Sequence, residues 1–349
     1  MNIQETYMYR CLQLAALGAG QVAPNPMVGS VLVYNNIIIG EGYHQQYGQA
    51  HAEVNCLNSV AEKNKGFISN STLYVSLEPC AHYGKTPPCA DLIIKNNIKT
   101  VIIGCRDSYD EVDGKGIQKL KSAGITVTSG VLEKESLELN RRFFTFHTQK
   151  RPYIILKWAQ TENLKIAAAD FSAVKISNDT SNRLVHKWRS EEAAILVGFN
   201  TALLDNPSLT NRLWSGKNPV RLVIDRHLKL PVSHHLFNKK VKTIVFNEHR
   251  QSDEDGLLYY KLEAAKNLIP SLLKALFELG IQSVLVEGGA GLLQSFINNN
   301  YWDEAKVISN HNLKIEDGVN APQLRNNNII SKENYTKDLI STYQNIPHK

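Results

Sequence analysis

No stretch of this chain stays apolar long enough to cross a membrane, and Met1 to Arg10 carries Glu5 and no signal-like apolar core. No membrane partner is expected, and the expected location is cytoplasmic. Cysteine is scarce: five residues, an odd number, at spacings that never repeat. That argues against a disulfide framework and fits a reducing compartment. No dense block of lysine and arginine occurs, although the formal net charge is +6. This mild basic bias suits a phosphorylated ligand and falls short of a nucleic-acid footprint, so no nucleic-acid partner is expected. Internal repeats and long low-complexity tracts are lacking too, which leaves solenoid and linker architectures aside.

What is there is globular. The 349 residues are 43% hydrophobic and 21% charged, enough for two domains of ordinary size. Met8, Leu12, Ala15 and Ala16 recur at helical spacing and predict a helix over 3–17, stopped near Gly18 and Gly20. Asn25 precedes a proline and is pushed away from helix, so Asn25-Pro26-Met27-Val28-Gly29 reads as a loop feeding a strand. Strands over 30–33 and 37–40 predict a hairpin around Tyr34-Asn35-Asn36. A helix over 51–60 and a strand over 72–76 follow. Pro87 and Pro88 suit the first turn of the next helix, which runs to about residue 96. Strand 100–104, helix 117–123, strand 126–129 and helix 133–144 complete a layered α/β pattern.

The chemistry concentrates in His51-Ala52-Glu53, Pro79-Cys80 and Cys89. One imidazole and two thiols form a three-ligand set for zinc, with the fourth position left for water. Glu53 is placed to carry that water's proton. His-x-Glu followed by Pro-Cys and a second cysteine is the pattern of zinc deaminases acting on nucleobase-like amines. Residues two apart on a helix point about 200° from each other, so His51 and Glu53 share a site only if His51 sits at the very start of its helix. Cys56 points about 140° from His51 and is set aside. Cys89, near a helix N-terminus, is expected to have a lowered thiol pKa. His82 is the alternative fourth ligand, which would close the site and make it structural. Cys11, Cys56 and Cys105 read as packing residues.

In the second half, Thr145 to Arg151 is polar and precedes Pro152, which marks a boundary. A mostly apolar strand over 153–159 carries one charge, Lys157, which on sequence alone is equally an edge gatekeeper. Helix 179–190, strands 194–197, 220–224 and 243–246, and helix 271–279 follow. The segment from Leu204 to Arg212 reads as a loop. Strand 283–287 meets Gly288-Gly289-Ala290-Gly291 and a helix over 292–297, an arrangement that cradles phosphates in some proteins and is a plain tight turn in others. The last predicted strand is 303–309, and the tail after about 326 is polar.

Residues 25–29, 51–53 and 78–89 resemble the deaminase half of the bifunctional riboflavin-biosynthesis deaminase/reductase family. The eight residues between Cys80 and Cys89 are the specific part, since base deaminases of the tRNA and cytidine type typically have two. Arg151-Pro152-Tyr153, Lys157, Ile195 to Gly198, Thr201, the Asp205 to Arg212 stretch and Val286-Glu287-Gly288-Gly289 resemble the reductase half. The resemblance implies an α/β chain with a cytidine-deaminase-like three-layer domain over 1–147 and a dihydrofolate-reductase-like domain over 151–349. It implies zinc on His51, Cys80 and Cys89, with Glu53 catalytic. It places Asn25 on the pyrimidine, and His44 and Lys85 near the substrate phosphate. In the second domain it implies NADPH contacts from Ala159, Thr201, Asp205, Gly289, Ala290, Gly291, Leu292 and Leu293. Substrate contacts would come from Arg189, Leu209, Arg212 and Glu287, with the arginines on its phosphate and Lys157 beside the reacting carbon. The chain departs from the family at Thr161-Glu162-Asn163-Leu164-Lys165, where an Asp-Gly pair is usual.

The function expected is zinc-dependent deamination of a phosphoribosylated diaminopyrimidinone, followed by NADPH reduction of its sugar. A homo-oligomer is compatible with the family. Two other readings stay open: a deaminase whose second half binds without reducing, and a nucleic-acid base deaminase or binding protein.

Overall fold

Short β-branched and aliphatic runs form the centre of each half of the chain. A computed structural model describes residues 2–83, 87–107, 113–170, 174–263 and 267–346, and the chain divides into two units, Met1–Lys150 and Arg151–Lys349.

The first unit runs α1 (Ile3–Ala16), β1 (Gly29–Tyr34), β2 (Ile37–Tyr43), α2 (Ala52–Asn58), β3 (Thr72–Leu77), α3 (Cys89–Lys95), β4 (Thr100–Cys105), α4 (Lys115–Ser122), β5 (Thr126–Ser129), α5 (Glu133–Leu139) and α6 (Arg141–Gln149). Its sheet has the order β2-β1-β3-β4-β5, antiparallel across β2-β1-β3 and parallel from β3 to β5. The two-residue period of a strand divides each apolar run between two faces. Leu73, Val75, Val101 and Ile103 pack with Cys56, Leu57, Ala90, Ile93 and Leu120 of α2, α3 and α4. Tyr74 and Ile102 turn the other way, onto Tyr7, Met8, Cys11 and Leu14 of α1. Helices on both faces give three layers. Gly42 allows α2 to lie directly on β2: a Cβ there would stand 2.2 Å from the Cys56 nitrogen.

The second unit runs β6 (Tyr153–Thr161), β7 (Lys165–Ala168), α7 (Asp179–Glu191), β8 (Ala194–Val197), α8 (Phe199–Asp205), β9 (Val220–Ile224), β10 (Thr243–Asn247), β11 (Ser252–Asp253), β12 (Leu257–Lys261), α9 (Leu268–Glu278), β13 (Ser283–Gly288), α10 (Ala290–Asn298), β14 (Glu304–Asn310), β15 (Gly318–Asn320), β16 (Asn327–Tyr335) and β17 (Asp338–Asn345). Ten strands form one sheet in the order β11-β12-β10-β9-β8-β13-β6-β14-β17-β16. The strands β9, β8, β13 and β6 run parallel and end at one edge. One face is covered by α9 and α10 through Leu272, Leu276, Leu293 and Phe296. The opposite face carries Ala202 of α8 against Ile195, Val197 and Val223, and Trp188 of α7 against Ile155 and Leu285.

Several sequence expectations change. The predicted helix 133–144 is two helices, broken at Asn140. The Asn140 side chain instead pairs with the peptide of Met27, accepting from its N–H and donating to its C=O, both at 2.8 Å. The polar stretch before Pro152 is helical as far as Gln149, and the helix ends at Lys150, whose φ is +54°. Lys157 is on β6, between β13 and β14 inside the sheet, so the edge-gatekeeper reading falls. The first third of the predicted 204–212 loop, Leu204 to Asn206, belongs to α8 or its cap. The polar tail holds the hairpin β16–β17, whose buried residues include the polar Asp338 and Ser341 as well as Ile340. No helix among the described residues is long and apolar enough to cross a membrane.

Candidate active sites

His51 is the N-cap of α2, with extended backbone (φ −73°, ψ 168°). That conformation turns its imidazole away from the helical path and resolves the angular conflict with Glu53. Its Nδ1 lies 3.4 Å from Cys89 Sγ and 3.7 Å from Cys80 Sγ. The three ligand atoms all lie within 4.8 Å of one another. Tetrahedral zinc with ordinary Zn–S and Zn–N bonds sets such N···S edges at about 3.5 Å, so the donor set fits the ion in chemistry and in spacing. Cys80 loops over the start of α3: its Sγ accepts from the Cys89 N–H at 3.3 Å, and its C=O accepts from Ala90. The helix start therefore serves Cys80 rather than Cys89, the reverse of the sequence expectation. Bonds from the Cys89 thiol and from His51 hold the Cys80 thiol at about 4 against the effect of burial. The Cys89 thiol, bonded to Cys80 and buried, is pushed up.

Glu53 lies in the first turn of α2 and is 3% exposed. Burial, then the charge at Cys80, raises its carboxyl above the usual range. His82 is exposed and Cys56 is outside the cluster, its thiol pushed up to about 12 by burial. Cys11 and Cys105 are buried in the packing.

Beside the cluster, His44 is 2% exposed and packs edge-on against His51, with ring centres 5.4 Å apart. Its Nδ1 is 3.0 Å from the Ala50 carbonyl, so Nδ1 carries the proton and Nε2 accepts from Asn25 Nδ2 at 3.2 Å. Burial lowers the His44 pKa and keeps the ring neutral. Lys85 lies outside the described residues. Glu78 received no role from the sequence, yet its buried carboxylate accepts from Asp107, Gly114 and Ile117 N–H groups and fixes the strand end that delivers Cys80. Gly116 leaves room for the same turn: a Cβ there would meet the Pro79 oxygen at 1.9 Å.

In the second unit a cleft of about 1010 Å³ opens at the ends of the parallel strands. Ala159, Thr201, Asp205, Gly289, Ala290, Gly291, Leu292 and Leu293 all line it, as do Lys157 and Glu287. Gly289 caps α10, and its N–H donates to Thr201 Oγ1 at 2.8 Å, tying α8 to the glycine turn. Burial raises the Asp205 carboxyl.

Glu287 is the centre of a buried ion cluster. Both of its oxygens receive Arg189, Nε and Nη2 each at 2.7 Å, and Lys157 Nζ stands 4.0 Å away. Burial works against its charge, but Arg189 and Lys157 outweigh it and hold the carboxyl at about 2. Burial lowers the Lys157 ammonium, with Glu287 opposing. The remaining Arg189 nitrogen, Nη1, donates to the Thr210 carbonyl at 3.1 Å, so each nitrogen of this guanidinium has a protein partner. Arg212 is exposed, with Nη1 on Thr210 Oγ1. Leu209 has φ +49° and buries its side chain in the core, leaving backbone for any ligand contact. His186 was missed. Its Nδ1 accepts from the Arg212 N–H at 2.9 Å, and burial, then the two arginines, lower it to about 4. Its place one turn before Arg189 on α7 was a usable signal.

Comparisons with known proteins match both halves. Residues 1–105 match the family of the cytidine and deoxycytidylate deaminase zinc-binding region, and residues 152–310 match the RibD C-terminal domain. The riboflavin biosynthesis protein RibD of Aquifex aeolicus is 42% identical over 315 residues, 88% of this chain and 86% of the relative. That of Escherichia coli is 33% identical over 326 residues, 87% and 86%. A solved diaminohydroxyphosphoribosylaminopyrimidine deaminase/5-amino-6-(5-phosphoribosylamino)uracil reductase from Thermotoga maritima is 36% identical, with a TM-score of 0.89 over 99% of both chains. Identity of this extent over nearly the whole length, carried by both halves, makes the chain a member of the RibD family of riboflavin biosynthesis proteins.

Proposed function

We propose that the chain catalyses two riboflavin-pathway reactions. The first unit hydrolytically deaminates 2,5-diamino-6-(5-phosphoribosylamino)pyrimidin-4(3H)-one, and the second reduces the ribosyl group of the product to ribityl with NADPH. The observation that carries this reading is the His51–Cys80–Cys89 cluster, with N···S separations of 3.4 and 3.7 Å and a buried Glu53 beside it.

His51, Cys80 and Cys89 would hold zinc, which supplies Lewis acidity and activates water near neutral pH. Glu53 takes a proton from the attacking water and returns one to the departing nitrogen, a task suited to a carboxyl raised by burial. Asn25 orients the pyrimidine, its amide fixed in direction by His44. In the second unit Gly289, Ala290, Gly291, Leu292 and Leu293 would receive the NADPH diphosphate at the start of α10, with Ala159, Thr201 and Asp205 along the same cleft. NADPH supplies the hydride. Lys157, midway along β6, and Glu287, near the end of β13, flank the place where the opened sugar would lie. Arg212 takes the substrate phosphate, while Arg189 holds Glu287 and the Thr210 carbonyl in place. We place the enzyme in the cytoplasm as a homo-oligomer, which light scattering tests.

Mass analysis of the pyrimidine after incubation decides the main reading. Without NADPH, one amino group is exchanged for a carbonyl oxygen. With NADPH, two hydrogens are added as well. An unchanged pyrimidine overturns the first step, and deaminated product with no loss of NADPH absorbance overturns the second.

A further inference from the structure

The segment Leu209 to Arg212 has no helix or strand bonds of its own, so its shape depends on ties from outside. Each of its residues is tied. Leu209 buries its side chain in the core at 3% exposure. The Thr210 carbonyl accepts from Arg189 Nη1 at 3.1 Å. The Asn211 N–H donates to Asn218 Oδ1 at 2.8 Å. The Arg212 N–H donates to His186 Nδ1 at 2.9 Å. Two of these four ties come from one helix. His186 and Arg189 stand three residues apart on α7, and side chains at that spacing share a face. One donates to a carbonyl of the segment, and the other accepts from an N–H two residues further on.

Only an unprotonated Nδ1 can accept. His186 is 2% exposed, and a neutral ring accepting at Nδ1 keeps its proton on Nε2. Burial, then the charges of Arg189 and Arg212, lower its pKa to about 4, so the acceptor is present at neutral pH. Arg212 itself is exposed. Its Nη1 donates to Thr210 Oγ1 at 2.9 Å, and no hydrogen bond among the described residues uses its Nε or Nη2. Those two donors are left for an anion. The peptide unit that His186 holds is the one from which this side chain starts. An arginine anchored at its backbone has fewer arrangements to lose on binding.

We infer that His186 is a positioning residue for the substrate phosphate: it holds the Arg212 backbone and so aims the Arg212 guanidinium. The inference rests on the assignment of Arg212 to that phosphate. Its test is steady-state reduction by the full-length chain, followed by NADPH absorbance, with the deaminated pyrimidine carrying or lacking its phosphate. Wild type should prefer the phosphorylated form. In H186L, which has no acceptor, the ratio of kcat/KM for the phosphorylated over the unphosphorylated form should fall about 10-fold, with the loss in KM rather than kcat. H186N, whose amide oxygen can stand where Nδ1 stands, should restore the ratio to within about 3-fold of wild type. H186L added to R212Q should lower the ratio no further. General damage to the unit would instead lower kcat on both forms and leave the ratio alone. That result, an H186N as impaired as H186L, or a further fall in the double variant overturns the inference and leaves the assignment of Arg212 standing. A wild type that does not distinguish the two forms, or an R212Q that still does, overturns that assignment and the inference with it. Urea unfolding followed by tryptophan fluorescence checks that each variant folds. H186M, which also lacks a strong acceptor, replaces H186L if that chain does not fold.

Discussion

Replacing Glu287 with glutamine removes the negative centre of a buried cluster and leaves Lys157 and Arg189 facing each other. Their side chains are 14% and 13% exposed, so water screens them little. A carboxyl held at about 2 rather than 4.5 contributes roughly 3 kcal/mol at neutral pH. Removing one partner of a buried ion pair typically costs about 3–5 kcal/mol, in the same range. E287Q should therefore destabilise the second unit by about 3 kcal/mol at pH 7. All four tryptophans, Trp158, Trp188, Trp214 and Trp302, lie in that unit, so their fluorescence during urea unfolding reports it separately from the first. Because the folded-state pKa is depressed, this stabilisation is complete above the unfolded value and disappears as pH falls toward about 2. The gap between wild type and E287Q should accordingly narrow by more than about 1 kcal/mol between pH 7 and pH 3.5. Equal stability at pH 7, or a gap independent of pH, would refute the reasoning.

E53Q should reduce deamination by about 100-fold or more while zinc content by metal analysis is unchanged, because the residue carries a proton and ligates nothing. If metal is lost with the carboxylate, the assigned role is wrong. Arg221 is fully buried, has no carboxylate partner among the described residues, and donates to the carbonyls of His235, Leu236 and Val241 and to Asn238 and Thr243. R221L should cost at least about 3 kcal/mol in the same urea experiment, since those acceptors lose their donor. Leu164 is 57% exposed with φ +58°, in the turn where the family usually has glycine. L164G should raise stability by about 0.5–1 kcal/mol, and a fall in the urea midpoint would argue against strain there.

The strands were legible because their apolar runs are short and bounded by turn residues, as at 72–76 and 283–287. The His51, Cys80 and Cys89 cluster was legible because residue type and spacing coincide, and the stereochemical need for His51 at a helix start could be worked out from helix geometry alone. What escaped was set by partners distant in sequence. Asn140 breaks its helix for Met27, 113 residues away. Arg189 commits its guanidinium to Glu287, 98 residues on, and so offers less to an anion than its place in the motif suggested. Helix α8 was hidden by the glycine before it and the Asn-Pro after it, both ordinary loop signals. The terminal hairpin was hidden because its buried positions include polar Asp338 and Ser341.

The two sites also differ in how much chain each must gather. The His51, Cys80 and Cys89 cluster spans residues 51 to 89, while the cleft of the second unit is lined by residues from 157 to 319. During vectorial synthesis the thiolate-imidazole trio is complete before any of the reductase has left the ribosome, whereas the second cleft awaits nearly the whole polypeptide. Nonsense products ending shortly after the first unit are then expected to sequester metal without competing for reducing equivalents.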